Sequence, residues 1–131
     1  MSQDNEQTRG ASDLVDITSI SAITLATHDM ARAVGFYEAL GFRMHYGGAG
    51  EGFTSFAAGP NYLNLILVAA EKPIGWWGRV ILYVQDVDAM HVRALEAGLR
   101  PEAEPRDAEW GERYFHISDP DGHELSFAQP L

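Results

Sequence analysis

The chain alternates between two periodicities. Residues 17–27 switch between apolar and small polar side chains, with Ile20, Ala22 and Thr24 set against Ser21, Ile23 and Leu25, the period of a strand. Residues 30–40 then carry Met30, Ala33, Val34, Tyr37 and Leu40 on one stripe, the period of an amphipathic helix. Asp29 stands where an N-cap belongs, and Gly41 where a helix ends in left-handed backbone. Strands are predicted over 42–46, 53–57 and 62–68. The glycine-rich segment 47–52 lacks the Lys-Ser/Thr of a phosphate loop and opens onto a strand, so it reads as a hairpin connection. After a connection over 69–78 the theme returns: a strand over 79–84, Asp86 as cap, a helix over 87–97 and Gly98. Residues 100–108 form an irregular or edge stretch broken by Pro101 and Pro105. The chain closes with two antiparallel strands, 114–118 and 123–127, around the turn residues Asp119, Pro120, Asp121 and Gly122. Leu125 and Phe127 are predicted to pack inward, with Glu124 and Ser126 on the other face.

The return is in register. Asp86 follows Asp29 by 57 residues (86 − 29), and Gly98 follows Gly41 by the same interval. The same shift superposes Ile23 on Val80, Leu25 on Leu82 and Phe42 on Leu99. The final strands match at a slightly larger offset, with Leu63, Asn64 and Leu65 against Leu125, Ser126 and Phe127. The reading is an α+β fold of two βαβββ modules, about 15–70 and 78–131, forming curved sheets around a cleft with helices on the outer face. Residues 1–14 read as a disordered tail without the apolar core of a secretory signal.

Composition narrows the function. In 131 residues with 46% hydrophobic side chains there is enough chain for one globular domain. No apolar run approaches the roughly 20 residues of a membrane span. A formal net charge of −10 argues against nucleic acid and anionic membranes as partners and admits a cationic ligand. With no cysteine there is no thiolate chemistry, and a cytoplasmic address is permitted.

Asp29 and Met30, the segment Phe36, Tyr37, Glu38, Ala39, Leu40, Gly41 and Phe42, and the later Asp119, Pro120, Asp121, Gly122 turn before a strand together resemble the vicinal oxygen chelate superfamily. That superfamily includes glyoxalases, bleomycin-resistance proteins and extradiol dioxygenases. The resemblance covers residues 17–131 and implies the paired-module fold and a homodimer. Its catalytic members hold a divalent metal at four strand positions, which here correspond to Ala22, Asn64, Arg79 and Ser126. Alanine offers no donor, arginine repels a cation, and asparagine and serine are weak neutral donors. The metal site is expected to be empty of ligands and no cofactor is expected, a divalent metal entering only if the four positions are misassigned.

The candidate ligand-binding residues are Ala22, Asn64, Arg79, Ile81, Tyr83 and Ser126, with Phe53, Trp76 and Trp77 near the mouth. Arg79 suits a carboxylate in a fork, or an ion pair with Glu124 or Glu112. Trp76 and Trp77 suit a flat ligand or a dimer interface. Among the histidines His28, His45, His91, His116 and His123, none forms a metal-binding pair at helical spacing, and His28, His91 and His123 read as surface or capping residues. His116 and Glu124 are the candidate catalytic acid–base groups, although hairpin pairing aligns His116 with Leu125 on the helix-packed face. Glu112 and Arg113 read as strand-edge charges. The expected function is small-molecule binding or sequestration of an aromatic or cationic compound. The alternative is a metal-dependent lyase, isomerase or dioxygenase, or a metal-free enzyme using Glu124 or His116.

Overall fold

The computed structural model describes residues 14–131, so the reading of the N-terminal tail falls largely outside the described residues. The elements run β1 (Ala22–Thr27), α1 (Met30–Ala39), β2 (Arg43–Tyr46), β3 (Phe53–Ala58), β4 (Asn61–Leu67), β5 (Arg79–Tyr83), α2 (Val87–Glu96), β6 (Arg106–Asp107), β7 (Glu112–Ser118) and β8 (Glu124–Pro130). They form two sheets of identical topology, β1-β4-β3-β2 and β5-β8-β7-β6. The first and last strands of each module pair in parallel, β1 with β4 and β5 with β8. The expected two βαβββ modules are therefore present.

The repeated punctuation acts as its chemistry requires. The Asp29 carboxylate accepts from Arg32 N and that of Asp86 from Ala89 N, each taking one of the unpaired amides of a first helical turn. Gly41 and Gly98 both stand at positive φ, +95° and +79°, where a side chain is strained. The first strand is shorter than its alternation suggests. Pairing with β4 starts at Ala22 opposite Tyr62, and Ile17 and Ile20, upstream, have no sheet partner and stay exposed.

One core serves both modules. Leu25, Leu63, Leu65 and Phe56 bury the helix-facing side of the first sheet, and Phe115, Ile117, Leu125 and Phe127 that of the second. A chain of rings joins them: Tyr37 to Phe42 at 5.2 Å, Phe42 to Phe127 at 6.3 Å, and Phe127 to Phe115 at 5.5 Å between centroids. Polar contacts reinforce the join. Tyr37 donates its hydroxyl to the buried Asp119 carboxylate at 2.8 Å, and Arg32 pairs with Asp121 at 2.9 Å. Because the helix-packed sides of both sheets share this core, their opposite faces are left to line other surfaces. The edge strands, β1 and β2 of one sheet and β5 and β6 of the other, carry no further strand among the described residues.

The final hairpin corrects the predicted register. Gly122 N donates to Asp119 O as a four-residue turn requires, but Asp119 N also donates to His123 O. The connection therefore takes five residues, and His123 is in the loop rather than in the strand. Ser118 pairs with Glu124 and His116 with Ser126, so Ile117, not His116, opposes Leu125. A one-residue slip moves a side chain to the other face.

Candidate functional site

The face of each sheet away from its helix is a set of cross-strand rows. In the first sheet Thr24, Asn64 and Ser55 form one row, flanked by Ala22, Tyr62 and Ala57 on one side and Ala26, Ile66 and Phe53 on the other. In the second, Ile81, Ser126 and His116 form the equivalent row. It is flanked by Arg79, Glu124 and Ser118, and by Tyr83, Ala128 and Tyr114. Backbone equivalence has produced different chemistry: the first sheet's face carries no charged side chain in these rows, while the second carries Arg79, Glu124 and His116.

Two cavities open beside these faces. The larger, about 810 Å³, lies between the modules and is walled mainly by apolar side chains, among them Ile20, Ala22, Phe42, Tyr62, Ile81 and Tyr83. Its floor is the shared core, since Leu63, Val80 and Phe127 reach it. The smaller, about 220 Å³, sits on the second sheet and is lined by Arg79, Ile81, Trp110, Glu112, Tyr114, His116 and Ser126. Ile81 belongs to both.

The expected single pocket is thus divided within one chain. Ala22, Ile81 and Tyr83 meet in the larger cavity, and Arg79, Ile81 and Ser126 in the smaller, while Asn64, Phe53, Trp76 and Trp77 line neither. The cause is the common core, which joins the modules through their helix-packed sides. Asn64 donates to Thr24 Oγ1 at 3.2 Å, and its carbonyl oxygen is buried without a partner.

The charged side chains of the second sheet are held in defined contacts. Arg79 pairs with Glu124 at 3.2 Å, not with Glu112, and Trp76 donates its indole N–H to the other oxygen of Glu124 at 3.1 Å. The Trp76 hydrogen bond first holds the Glu124 carboxyl below its ordinary value; burial opposes it, and the hydrogen bond and charge of Arg79 add to the lowering. His116 is also held below its ordinary value, by burial first and the Arg79 charge second, with Glu124 and Glu102 pulling the other way. Its Nδ1 is buried and unpaired. Glu112 accepts from the Tyr83 hydroxyl and from Trp110 Nε1. Arg113 pairs with Asp88 and Asp107, both in its own module.

His123, read from sequence as a surface or capping residue, is buried. Trp77 donates to its Nδ1 at 2.8 Å, which leaves the proton on Nε2 for the carbonyl of Ala26, also at 2.8 Å. The ring ties the intermodule connection to β1. His28 similarly contacts Lys72 O at 2.7 Å. Sequence reasoning also missed Glu102, whose amide donates to His116 O at 2.8 Å from the irregular segment before β6. No local pattern marks it, because only the fold brings residues 102 and 116 together.

The family model described as Glyoxalase/Bleomycin resistance protein/Dioxygenase superfamily matches residues 19–127. Over 50 residues the chain is 46% identical to an uncharacterized protein of Mycobacterium bovis, a match covering 38% of this chain and 33% of that protein. The chain's match spans about a third of the length of the curated relatives. Among solved structures, a bleomycin-binding protein complexed with bleomycin is similar at a TM-score of 0.68 and 24% identity, over 88% of this chain and 100% of that one. A lactoylglutathione lyase from Agrobacterium tumefaciens is similar at 0.70 and 21% identity, over 86% and 94%. At these identities the two structures share the fold.

Proposed function

Since the chain belongs to the glyoxalase/bleomycin resistance protein/dioxygenase superfamily, we propose that it is a small-molecule-binding member that works without a metal at the superfamily's usual positions. The observation that carries the binding reading is the 810 Å³ cleft, whose size and mainly apolar wall suit an organic ligand of drug-like dimensions. Tyr62, Tyr83 and Phe42 give it flat surfaces. With the net charge of −10, the favoured ligand is an aromatic or amphipathic compound, cationic rather than anionic. The solved bleomycin-binding relative lends the same class of ligand some support.

The four positions that the resemblance assigns to a metal do not suit one. Ala22 has no donor, Asn64 spends its amide on Thr24, and Arg79 spends its guanidinium on Glu124. Ser126, the fourth, is a neutral hydroxyl. Nor do these residues line one cavity within the chain. The reading therefore includes a homodimer, in which a second copy completes the face that one chain leaves divided. Edges β1 and β5, open among the described residues, and exposed Ile81 and Tyr83 support it. The cytoplasmic address expected from sequence belongs to the same reading; no helix among the described residues is long and apolar enough to cross a membrane.

The test is a titration of the purified chain with bleomycin and a panel of cationic aromatic compounds, followed by tryptophan fluorescence. Saturable quenching is expected, weakened at least tenfold by Ile81→Lys and by Tyr83→Ala. Failure of every cationic and aromatic compound to bind, or binding unchanged by both substitutions, would sink the proposal. Sedimentation across a concentration series reads the dimer separately.

A further inference from the structure

We propose a divalent transition-metal site made by Glu102, His116 and Glu124, distinct from the four superfamily positions. One ligand atom from each of these residues lies within 4.8 Å of the others. Metal–nitrogen and metal–oxygen bonds near 2.0–2.2 Å put the ligand atoms of one ion at most about 4.4 Å apart, so binding requires the three to draw in from this spacing, a movement open to the exposed side chain of Glu102. The three come from separate elements: Glu102 from the segment before β6, His116 from β7 and Glu124 from β8. Their convergence is therefore a product of the fold, not of sequence proximity.

Independent features point the same way. The His116 Nδ1 is buried and has no hydrogen-bond partner, and folded proteins rarely leave a buried polar atom unpaired. Glu102 is fixed against the histidine by its own amide, which donates to His116 O at 2.8 Å. Glu124 is oriented by Trp76 and Arg79. A carboxylate accepts at about four lone-pair sites, so these two donors leave room for a metal bond and act as the outer contacts that aim a ligand. One imidazole nitrogen with two carboxylate oxygens is a donor set for zinc, iron(II), manganese or nickel, and not for a thiolate-seeking ion. The guanidinium of Arg79 offsets one of the two carboxylate charges, which sets moderate rather than extreme affinity. His116 also lines the 220 Å³ cavity, so a cation held there adjoins a space large enough for water or a small oxygen-bearing ligand.

The experiment is calorimetric titration of the chelator-treated 131-residue chain with Zn²⁺, repeated with Mn²⁺. One site per chain is expected, with Zn²⁺ binding in the micromolar range or tighter. Glu102→Gln alters an exposed side chain and should leave the thermal transition in place while weakening Zn²⁺ at least tenfold. His116→Ala should abolish the site, and His45→Gln, a histidine outside the cluster, should leave it unchanged. The absence of binding at 100 μM Zn²⁺ would overturn the assignment, and so would binding that survives both Glu102→Gln and His116→Ala. This outcome is separate from the binding of organic ligands in the larger cleft, which neither Glu102 nor His116 lines.

Discussion

Replacing Tyr37 by Phe isolates one contact between the modules. The Tyr37 ring is fully buried and packs edge-on against Phe36 and Phe42 and at a tilt against Phe56, at centroid distances of 5.1, 5.2 and 5.7 Å. Phenylalanine keeps those contacts and removes only the hydroxyl that donates to Asp119 Oδ2 at 2.8 Å. Asp119 retains two donors, the amides of Asp121 and His123, both on Oδ1. Its other oxygen is then buried with nothing to accept from. A hydrogen bond to a charged group contributes about 1.5–3 kcal/mol. A loss of about 2 kcal/mol, with a urea slope of about 2 kcal/mol/M, moves the unfolding midpoint down by about 1 M. The effect should also depend on pH. Burial raises the Asp119 carboxyl above its ordinary 3.8 against its hydrogen bonds, of which Tyr37 supplies the strongest. A group raised in the folded state favours folding most below its unfolded value and loses that contribution as pH climbs through the folded one. Removing Tyr37 raises the group further, so the deficit of Tyr37→Phe should be largest near neutrality and shrink as Asp119 protonates. Urea unfolding of both proteins from pH 7 down toward pH 4 measures it. A deficit below about 0.5 kcal/mol at pH 7, or one that stays constant with pH, would refute the account.

The same phenol gives an alkaline prediction. Burial, and after it the Asp119 charge, hold Tyr37 well above its ordinary value of 10.0, so its stabilising contribution is complete below pH 10 and is lost as pH rises beyond it. The last phenolate to appear at 295 nm should be that of Tyr37, after that of Tyr83, which its hydrogen bond to Glu112 also raises, and Tyr37→Phe should lack this last step; early ionisation of Tyr37 in the folded chain would contradict this. Three glycines should rank by what a methyl group meets. Gly98→Ala finds open space at φ +79° and should cost about 1–2 kcal/mol from backbone strain alone. Gly41→Ala must also displace the Arg93 guanidinium, and Gly47→Ala collides with the backbone of Phe53 and Thr54 and should cost most; urea midpoints in any other order would break the argument. Asp29→Ala and Asp86→Ala should each cost about 1 kcal/mol, because each removes one cap of the same geometry.

What was legible in the sequence was local. Caps, left-handed glycines and strand alternation depend on neighbours within a few residues, and the interval between Asp29 and Asp86 made the repeat visible. The face of His116 depended on whether the last turn takes four residues or five, and the His123 carbonyl decided it. The division of the pocket was beyond reach because it depends on docking. Phe42 touches Phe127, and Tyr37 touches Asp119 across 82 residues of chain, contacts that no periodicity encodes. Glu102 was invisible for the same reason: an exposed acid in an irregular stretch acquires meaning only when the strand carrying His116 passes beneath it.

Thr24, Asn64 and Ser55 on one sheet occupy the places that Ile81, Ser126 and His116 hold on the other. Backbone geometry persists across the pair, while the side chains displayed on it have nearly nothing in common. Folding instructions and chemical display are therefore written in different residues of this chain, the first in caps, glycines and core rings, the second in six positions on the sheet faces turned away from the helices. A protein organised this way is inherently re-taskable. Selection or an engineer can rewrite one display while the other, and the instructions beneath both, stay in force.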